Sequence, residues 1–299
     1  MHAQVIKSNG VEELHHQLPK CYPFIKWAGG KRQLLPRIET LIPAKFDRYF
    51  EPFLGGGAVF FYLSSHKNFR FEAFLSDINQ ELMNCYCMVK DSVEELISIL
   101  KYHQEQYRLS PKMYYYRLRD HTHPTNAVEM AAKFIMLNKT CYNGLYRVNK
   151  KNMFNAPKGR YKNPLICDAE NLRNISVLFR KLKPRLIAED YNKVLIENAR
   201  QGDFIYLDPP YGPTSTTANF TAYTSNGFGQ ADQIQIADLF RKLDGRGCNI
   251  LLSNSDIPFI RELYASYSDC ITEVDANRSI NSKASKRSGH RELLICNYN

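Results

Sequence analysis

The sequence predicts a doubly wound α/β sheet that carries an inserted, mostly helical module. Three observations lead there. Apolar runs of strand length alternate with helix-length stretches on both sides of the chain's middle. The middle itself, roughly 80–170, changes character and becomes rich in Tyr, Arg and Lys. Two of the apolar runs end in loop chemistry, one in glycines and one in Asp-Pro-Pro, where open α/β sheets bind their ligands.

Taken in order, 48–53 reads as a short strand feeding Leu54-Gly55-Gly56-Gly57, and Ala58-Val59-Phe60-Phe61-Tyr62-Leu63 as the helix that follows. A second strand at 71–75 ends in Ser76-Asp77. Helices are expected at about 79–90, 93–107 and 127–137. Strand signals resume at 185–188, continue at Phe204-Ile205-Tyr206-Leu207 and 248–253, and finish with a strand at 292–297. The first twenty residues carry Glu12, Glu13, His15 and His16 with no apolar core of a signal peptide, and are expected to lie outside the fold as a leader. The Ser- and Lys-rich run 278–291 is expected to be a mobile loop. The resulting division is a leader at 1–20, the α/β part at 21–79 and 171–299, and the module at 80–170.

Composition narrows the partners. The 299 residues have a formal net charge of +10, which favours a polyanion. No stretch approaches the roughly 18 apolar residues of a membrane span. The eight cysteines form no C-x-x-C pair and lack His at zinc-ligand spacing, so buried free thiols in a reducing cytoplasm are expected, with no metal.

Asp208-Pro209-Pro210-Tyr211 carries the most specific chemistry. A carboxylate acceptor, prolines that add no competing N–H donors, and an aromatic face suit an amine on a flat, stacked ring; a strand-ending Asp with a proline turn is the plainer alternative. Glycines at 55–57 let the backbone turn tightly and a ligand approach without meeting a Cβ. The dinucleotide pattern G-x-G-x-x-G fails at Phe60, which points to another adenosine-bearing cofactor. Asp77, about 20 residues on, stands where an acid can hold ribose hydroxyls. Around Trp27 and Lys31 a phosphate-loop reading fails, because Ile25 and Arg32 replace the required residues. Lys31 can instead neutralise a cofactor carboxylate while Trp27 packs on its body, or both can serve packing and surface.

In this order the segments Phe24-Ile25-Lys26-Trp27-Ala28-Gly29-Gly30-Lys31, Phe50-Glu51-Pro52-Phe53-Leu54-Gly55-Gly56-Gly57 and Asp208-Pro209-Pro210-Tyr211 resemble the Dam family of DNA adenine-N6 methyltransferases. Cys141-Tyr142-Asn143-Gly144-Leu145-Tyr146-Arg147, Asn219-Phe220-Thr221-Ala222-Tyr223 and Leu252-Ser253-Asn254 extend the likeness over about 22–298. The resemblance implies a Rossmann-like methyltransferase sheet of seven strands, the last antiparallel, with a target-recognition domain inserted after the second strand. It implies S-adenosylmethionine as methyl donor and double-stranded DNA as partner, for an enzyme acting as a monomer, or a dimer on DNA, at the nucleoid of a prokaryotic cell.

Matched residue by residue, the resemblance assigns Asp208, Pro209, Pro210 and Tyr211 to catalysis, with Phe220 as a second stacking face. It gives Trp27, Lys31, Phe53, Gly55, Gly57, Asp77, Asp190, Tyr191 and Asp208 to the cofactor. Tyr142 and Asn143 match the pair that fills the gap left by a flipped base. Arg147 matches an arginine on a guanine edge, Leu145 and Pro157 contacts to a thymine methyl, Lys26 a contact to the first guanine, and Tyr161 a further recognition position; together they imply the target GATC. Around them Lys139, Arg147, Lys150, Lys151, Lys158, Arg160 and Lys162 lie with no acid between, which suits a DNA surface better than a merely solvated face. Arg278, Lys283, Lys286, Arg287 and Arg291 form a second basic group, a phosphate-contacting loop or a tail. Two alternatives stand beside this reading: an amino methyltransferase on cytosine N4 or RNA, against which Asp208 counts because those enzymes carry Ser or Asn there, and a DNA-binding protein of the same fold without activity.

Overall fold

A computed structural model describes residues 18–27, 29–66, 70–149, 153–211, 228–276 and 290–298. Seven strands form one sheet: β1 (Arg48–Glu51), β2 (Glu72–Ser76), β3 (Arg185–Ile187), β4 (Phe204–Leu207), β5 (Asn249–Ser255), β6 (Ile271–Ala276) and β7 (His290–Cys296). Their spatial order is β3-β2-β1-β4-β5-β7-β6, with β7 antiparallel to both neighbours and the rest parallel. Strand order reverses between β1 and β4, so the crevice outside their carboxyl ends is the place where such sheets bind ligands.

Alternation along each strand sends side chains into two cores. Tyr49, Leu75, Phe204, Tyr206 and Leu251 face one side, with α1 (Leu35–Glu39), α2 (Ala58–Ser64) and the helical middle of the chain. Phe50, Phe74, Ile205, Leu207, Ile250 and Leu252 face the other, under α8 (Tyr191–Asn198), α9 (Gln230–Asp244) and α10 (Pro258–Leu263). Burial on both faces is why these strands read as continuous apolar runs.

The middle contains α3 (Gln80–Asp91), α4 (Val93–Leu109), α5 (Pro111–His121), α6 (Ala127–Thr140) and α7 (Ala169–Leu182). Asn79, Asn126 and Asp168 start α3, α6 and α7 by accepting the N–H of Leu82, Glu129 and Asn171. α3 packs against α6, α7 and β3, so the helical middle shares its apolar core with one face of the sheet. Between α6 and α7 the chain forms a small hairpin with bridges Cys141 to Lys158 and Val148 to Phe154.

One expectation is corrected. Residues 290 and 291, placed by the sequence in a loop, begin β7, with Arg291 paired to Asp275 on β6. All eight cysteines are free thiols, six of them buried. Among the described residues no helix is long and apolar enough to cross a membrane.

Candidate active site

The loop after β1 shapes the crevice. Gly55 and Gly57 take φ values of +47° and +67°, a region costly to any residue with a Cβ. Gly55 donates its N–H to Asp77 Oδ2 at 3.1 Å and accepts from the Tyr86 hydroxyl at 2.9 Å. Asp77 Oδ1 accepts from Asn79 N–H at 3.0 Å. Burial pushes this carboxyl up to about 6, against the opposing pull of its two backbone donors. Trp27 lies over Gly55, stacked at 5.7 Å on Tyr146 and at 6.1 Å on Phe134. Beyond β3, the rings of Phe53 and Tyr191 meet at 4.9 Å. Asp190 is the N-cap of α8, its Oδ1 accepting from Asn192 and Lys193, so that oxygen already has a structural task.

The carboxyl end of β4 brings Asp208 to the same crevice. Lys31, which the sequence paired with a cofactor carboxylate, is buried, and its Nζ stands 2.9 Å from Asp208 Oδ1. Ser253 on β5 donates its hydroxyl to the same oxygen at 3.0 Å. Among the described residues nothing hydrogen-bonds to Oδ2 or to the Pro209 carbonyl, whereas the Pro210 carbonyl accepts from Gln233 Nε2 at 2.8 Å. Asn254 Nδ2 in turn donates to Gln233 Oε1 at 2.9 Å. Burial lifts Asp208 above the ordinary carboxylate range, opposed by Lys31 and Ser253. The Tyr211 hydroxyl donates to Glu292 Oε2 at 2.7 Å, and Lys31 Nζ lies 4.7 Å from the Tyr211 ring centre.

Glu51, at the end of β1, is buried and accepts at Oε2 from the Tyr49 hydroxyl (2.8 Å) and from Phe60 N–H in the first turn of α2 (3.0 Å). Burial pushes it up to about 8, against those two hydrogen bonds. An unfolded chain releases this proton near the ordinary value of 4.5, while the folded protein keeps it to about 8. Its contribution to stability is therefore full below pH 4.5 and is lost as pH rises through 8, by roughly 3–5 kcal/mol. Glu51→Gln removes the titration, so its melting temperature relative to wild type should climb from pH 5 to pH 8. A difference flat with pH would return Glu51 to the ordinary range.

The hairpin forms the second face. Tyr142 is exposed and sits with Asn143, at φ +53°, in a tight turn whose first N–H donates to the Pro157 carbonyl at 2.8 Å. Leu145 is half-buried and Pro157 exposed. Arg147 is exposed and already oriented: Nε donates to Asn155 Oδ1 at 2.7 Å and Nη2 to the Asn155 carbonyl at 3.0 Å. Lys26 Nζ lies 3.7 Å from the Tyr161 ring centre, and Asn138 grips the Lys26 backbone from both sides. Gly144 is obligatory beside them, since a Cβ there would come within 2.5 Å of Lys26 Cβ. Two of the expected surface cations are engaged inside: burial and nearby Lys26 press Lys139 down to about 8, and Lys158 Nζ donates to the Gly159 carbonyl. Arg160 and Lys162 are exposed.

The N-terminal motif thus joins both faces, Lys26 at the hairpin and Lys31 at Asp208. Ser253, Glu292, Gln233, Asn254, Glu51 and Asn155 were not singled out as site residues, each being one polar residue whose partner is distant or unremarkable in sequence. Phe220 and its segment 219–223, the loop 212–215, Lys150, Lys151, Arg278, Lys283, Lys286, Arg287 and residues 1–17 lie outside the described residues.

Comparison with known proteins agrees with this geometry. Residues 27–280 match the model of the D12 class N6 adenine-specific DNA methyltransferases. The chain is 43% identical over 281 residues to the type II methyltransferase M1.LlaDCHI of Lactococcus lactis subsp. cremoris, covering 92% of this chain and 95% of that one. It is 44% identical over 291 residues to the type II methyltransferase M.MjaIII of Methanocaldococcus jannaschii, covering 92% and 99%. To the DNA adenine methylase of Escherichia coli it is 34% identical over 281 residues, covering 93% and 95%. With a sheet order that sets Asp208 beside the glycine turn, and with these matches along nearly its whole length, the chain belongs to the D12 class of N6 adenine-specific DNA methyltransferases.

Proposed function

We propose that this methyltransferase takes its methyl group from S-adenosylmethionine and delivers it to N6 of an adenine flipped out of duplex DNA at GATC. The observation that carries the reading is the 2.9 Å pair between Lys31 and Asp208, which unites the N-terminal motif and the Asp-Pro-Pro-Tyr loop in one crevice at the β1–β4 switch point.

The residues fit the cofactor. Left-handed glycines set the turn after β1 with Trp27 packed over Gly55, Asp77 stands at the end of β2 for ribose hydroxyls, and the Phe53–Tyr191 rings offer an apolar wall for adenine. When bound, the cofactor supplies an electrophilic sulfonium methyl. Adenine N6 is a poor nucleophile because its lone pair is delocalised into the ring. Asp208 Oδ2 and the Pro209 carbonyl, two acceptors that no described residue engages, each take one N6 hydrogen and stabilise the positive charge that develops on nitrogen. Lys31 and Ser253 hold the other Asp208 oxygen and so fix the carboxylate's plane. Tyr211 stacks on the base. Alignment of amine and methyl supplies much of the remaining acceleration, up to roughly 7–11 kcal/mol where geometry is good.

Extruding a paired base costs a few kcal/mol. Tyr142, exposed at the hairpin's start, and Asn143 fill the gap, while Lys26, Leu145, Arg147, Pro157 and Tyr161 read the flanking bases. On this division residues 80–170 recognise the target and 21–79 with 171–299 carry out catalysis, in a monomer or a dimer on DNA, without metal. Incubation with labelled S-adenosylmethionine and duplexes differing only at GATC tests the reading. Transfer confined to the GATC duplex supports it; equal transfer to the other duplex overturns the specificity, and no transfer to any DNA overturns the activity.

Arg147→Ala should lower discrimination at one guanine by about 1–3 kcal/mol while affinity for random duplex changes little. Competition binding with single-base variants measures this. A loss equal across all sequences would make Arg147 a phosphate contact.

A further inference from the structure

β7 runs antiparallel, so its first residues arrive at the carboxyl ends of the parallel strands, beside the crevice. Glu292 sits there, opposite Ser255 on β5 and Val274 on β6, and is only 8% exposed. Its neighbours Leu293, Leu294 and Ile295 show that the strand otherwise takes apolar side chains. A buried carboxylate costs several kcal/mol of lost hydration, and an apolar residue of similar size would serve the sheet as well or better. The cost is increased by Asp208, a second carboxylate close enough for Glu292 to raise its proton affinity. Among the described residues Lys31 is the ammonium between them, 2.9 Å from Asp208 Oδ1 and 3.9 Å from Glu292 Oε2. Glu292 Oε2 also receives the Tyr211 hydroxyl at 2.7 Å.

We infer that Glu292 is a positioning residue for methyl transfer: it anchors the Tyr211 hydroxyl and, with Lys31 near the ring, sets the orientation in which that ring receives the target base next to Asp208. The ring is held at its hydroxyl and by the ammonium 4.7 Å from its centre. A tyrosine fastened only by its backbone would turn about its side-chain torsions, and each orientation lost on base entry would cost entropy. Anchoring beforehand removes that cost, which is how preorganised sites gain rate. The inference rests on the reading of Tyr211 as the ring that stacks on the base.

The experiment is a double-mutant cycle on the full-length enzyme, with S-adenosylmethionine and unmethylated genomic DNA as substrates. Wild-type transfer to that DNA establishes the parent reading independently of any target sequence; its absence would sink that reading, and this inference with it. Tyr211→Phe keeps the ring and loses only the hydroxyl, and Glu292→Ala loses the acceptor together with the negative charge 3.9 Å from Lys31, a charge that Glu292→Gln removes while keeping the acceptor. Each should lower kcat about thirty-fold, the worth of a hydrogen bond to a charged group, with KM for S-adenosylmethionine within about two-fold of wild type. The double variant should be no slower than either single one. Glu292→Gln, which can still accept from the hydroxyl, should recover kcat to within about five-fold of wild type. A 2-aminopurine at the target position gives a second readout: its fluorescence should report a less rigidly stacked base in Tyr211→Phe and Glu292→Ala alike. Wild-type kcat in Tyr211→Phe, or losses that multiply in the double variant, would overturn the inference. A loss that Glu292→Gln shares in full, with lowered melting temperature, would make the residue structural.

Discussion

Asp208→Ala is expected to reduce the single-turnover rate of methyl transfer by about a thousand-fold, while affinity for duplex DNA stays within a few-fold of wild type. Removing one preorganised group aimed at developing charge costs about 10²–10³ in rate, and Asp208 is a charged one whose orientation is set by two partners. Lys31 Nζ and the Ser253 hydroxyl both bind Oδ1, so the carboxylate cannot rotate without breaking one of them. The alanine variant also leaves Lys31 with Glu292, 3.9 Å away, as its nearest remaining anion. Losing one negative charge favours polyanion binding while losing one contact to N6 opposes it, so a rate loss accompanied by binding weaker by more than a few-fold would point to a disturbed fold. Rapid-quench measurement at saturating DNA separates chemistry from association, and fluorescence anisotropy gives the affinity. Turnover within ten-fold of wild type would mean that the amine is activated elsewhere.

Much of this arrangement was legible in the sequence because local chemistry and topology agree. β1, β4 and β5 are buried on both faces, so their apolar runs stand out, and the loops after β1 and β4 at the crevice carry distinctive residues: left-handed glycines, Asp208 and two prolines. β6 was missed because Ile-Thr-Glu-Val-Asp-Ala at the sheet's edge sets two polar residues side by side, giving neither an apolar run nor strict alternation, and carries no flanking glycine signal. α5, Pro111–His121, mixes aromatic and basic residues and lacks a clean apolar stripe. α7 is more instructive, since Asp168 caps it and Leu172, Ile175 and Phe179 mark its buried face. Its start coincides with the boundary drawn from composition, and a composition change does not reveal that α3 and α7 pack together beneath the sheet. In the site, Ser253 and Glu292 lie 45 and 81 residues from the partners they hold. Only the fold brings such pairs together, and each is a single polar residue inside a run whose periodicity speaks for burial.

Gly55→Ala should weaken binding of S-adenosylmethionine about a hundred-fold, whereas Gly56→Ala should leave it within a few-fold of wild type. The two glycines are neighbours, Gly55 buried and Gly56 half-buried, and they differ in backbone conformation and in what a Cβ would meet. At Gly55 the backbone is left-handed, φ +47°, which costs a residue with a Cβ roughly 1–2 kcal/mol. A Cβ there would also stand 2.4 Å from Trp27 Cδ1 and 2.8 Å from its Nε1, distances no real contact reaches. Trp27 has little freedom to yield, since its ring is stacked on Tyr146 and Phe134, and Tyr146 is tethered through its hydroxyl to Glu81 Oε2 at 2.8 Å. The loop must therefore shift instead, breaking the Gly55 N–H bond to Asp77 and the Tyr86 bond to the Gly55 carbonyl, and moving the carboxylate proposed to hold the ribose. At Gly56 a Cβ meets only Pro23 and Trp27 Cβ atoms at 3.6 Å, an ordinary contact, and no left-handed φ is required. Calorimetric titration of each variant with S-adenosylmethionine, beside its thermal melt, tests the contrast; equal affinities would show that the turn relaxes around Trp27. Because Trp27 follows directly on Lys26, which lies against Tyr161 at the hairpin, the Gly55 variant should also loosen target discrimination, a coupling of the two faces that Gly56→Ala should not reproduce.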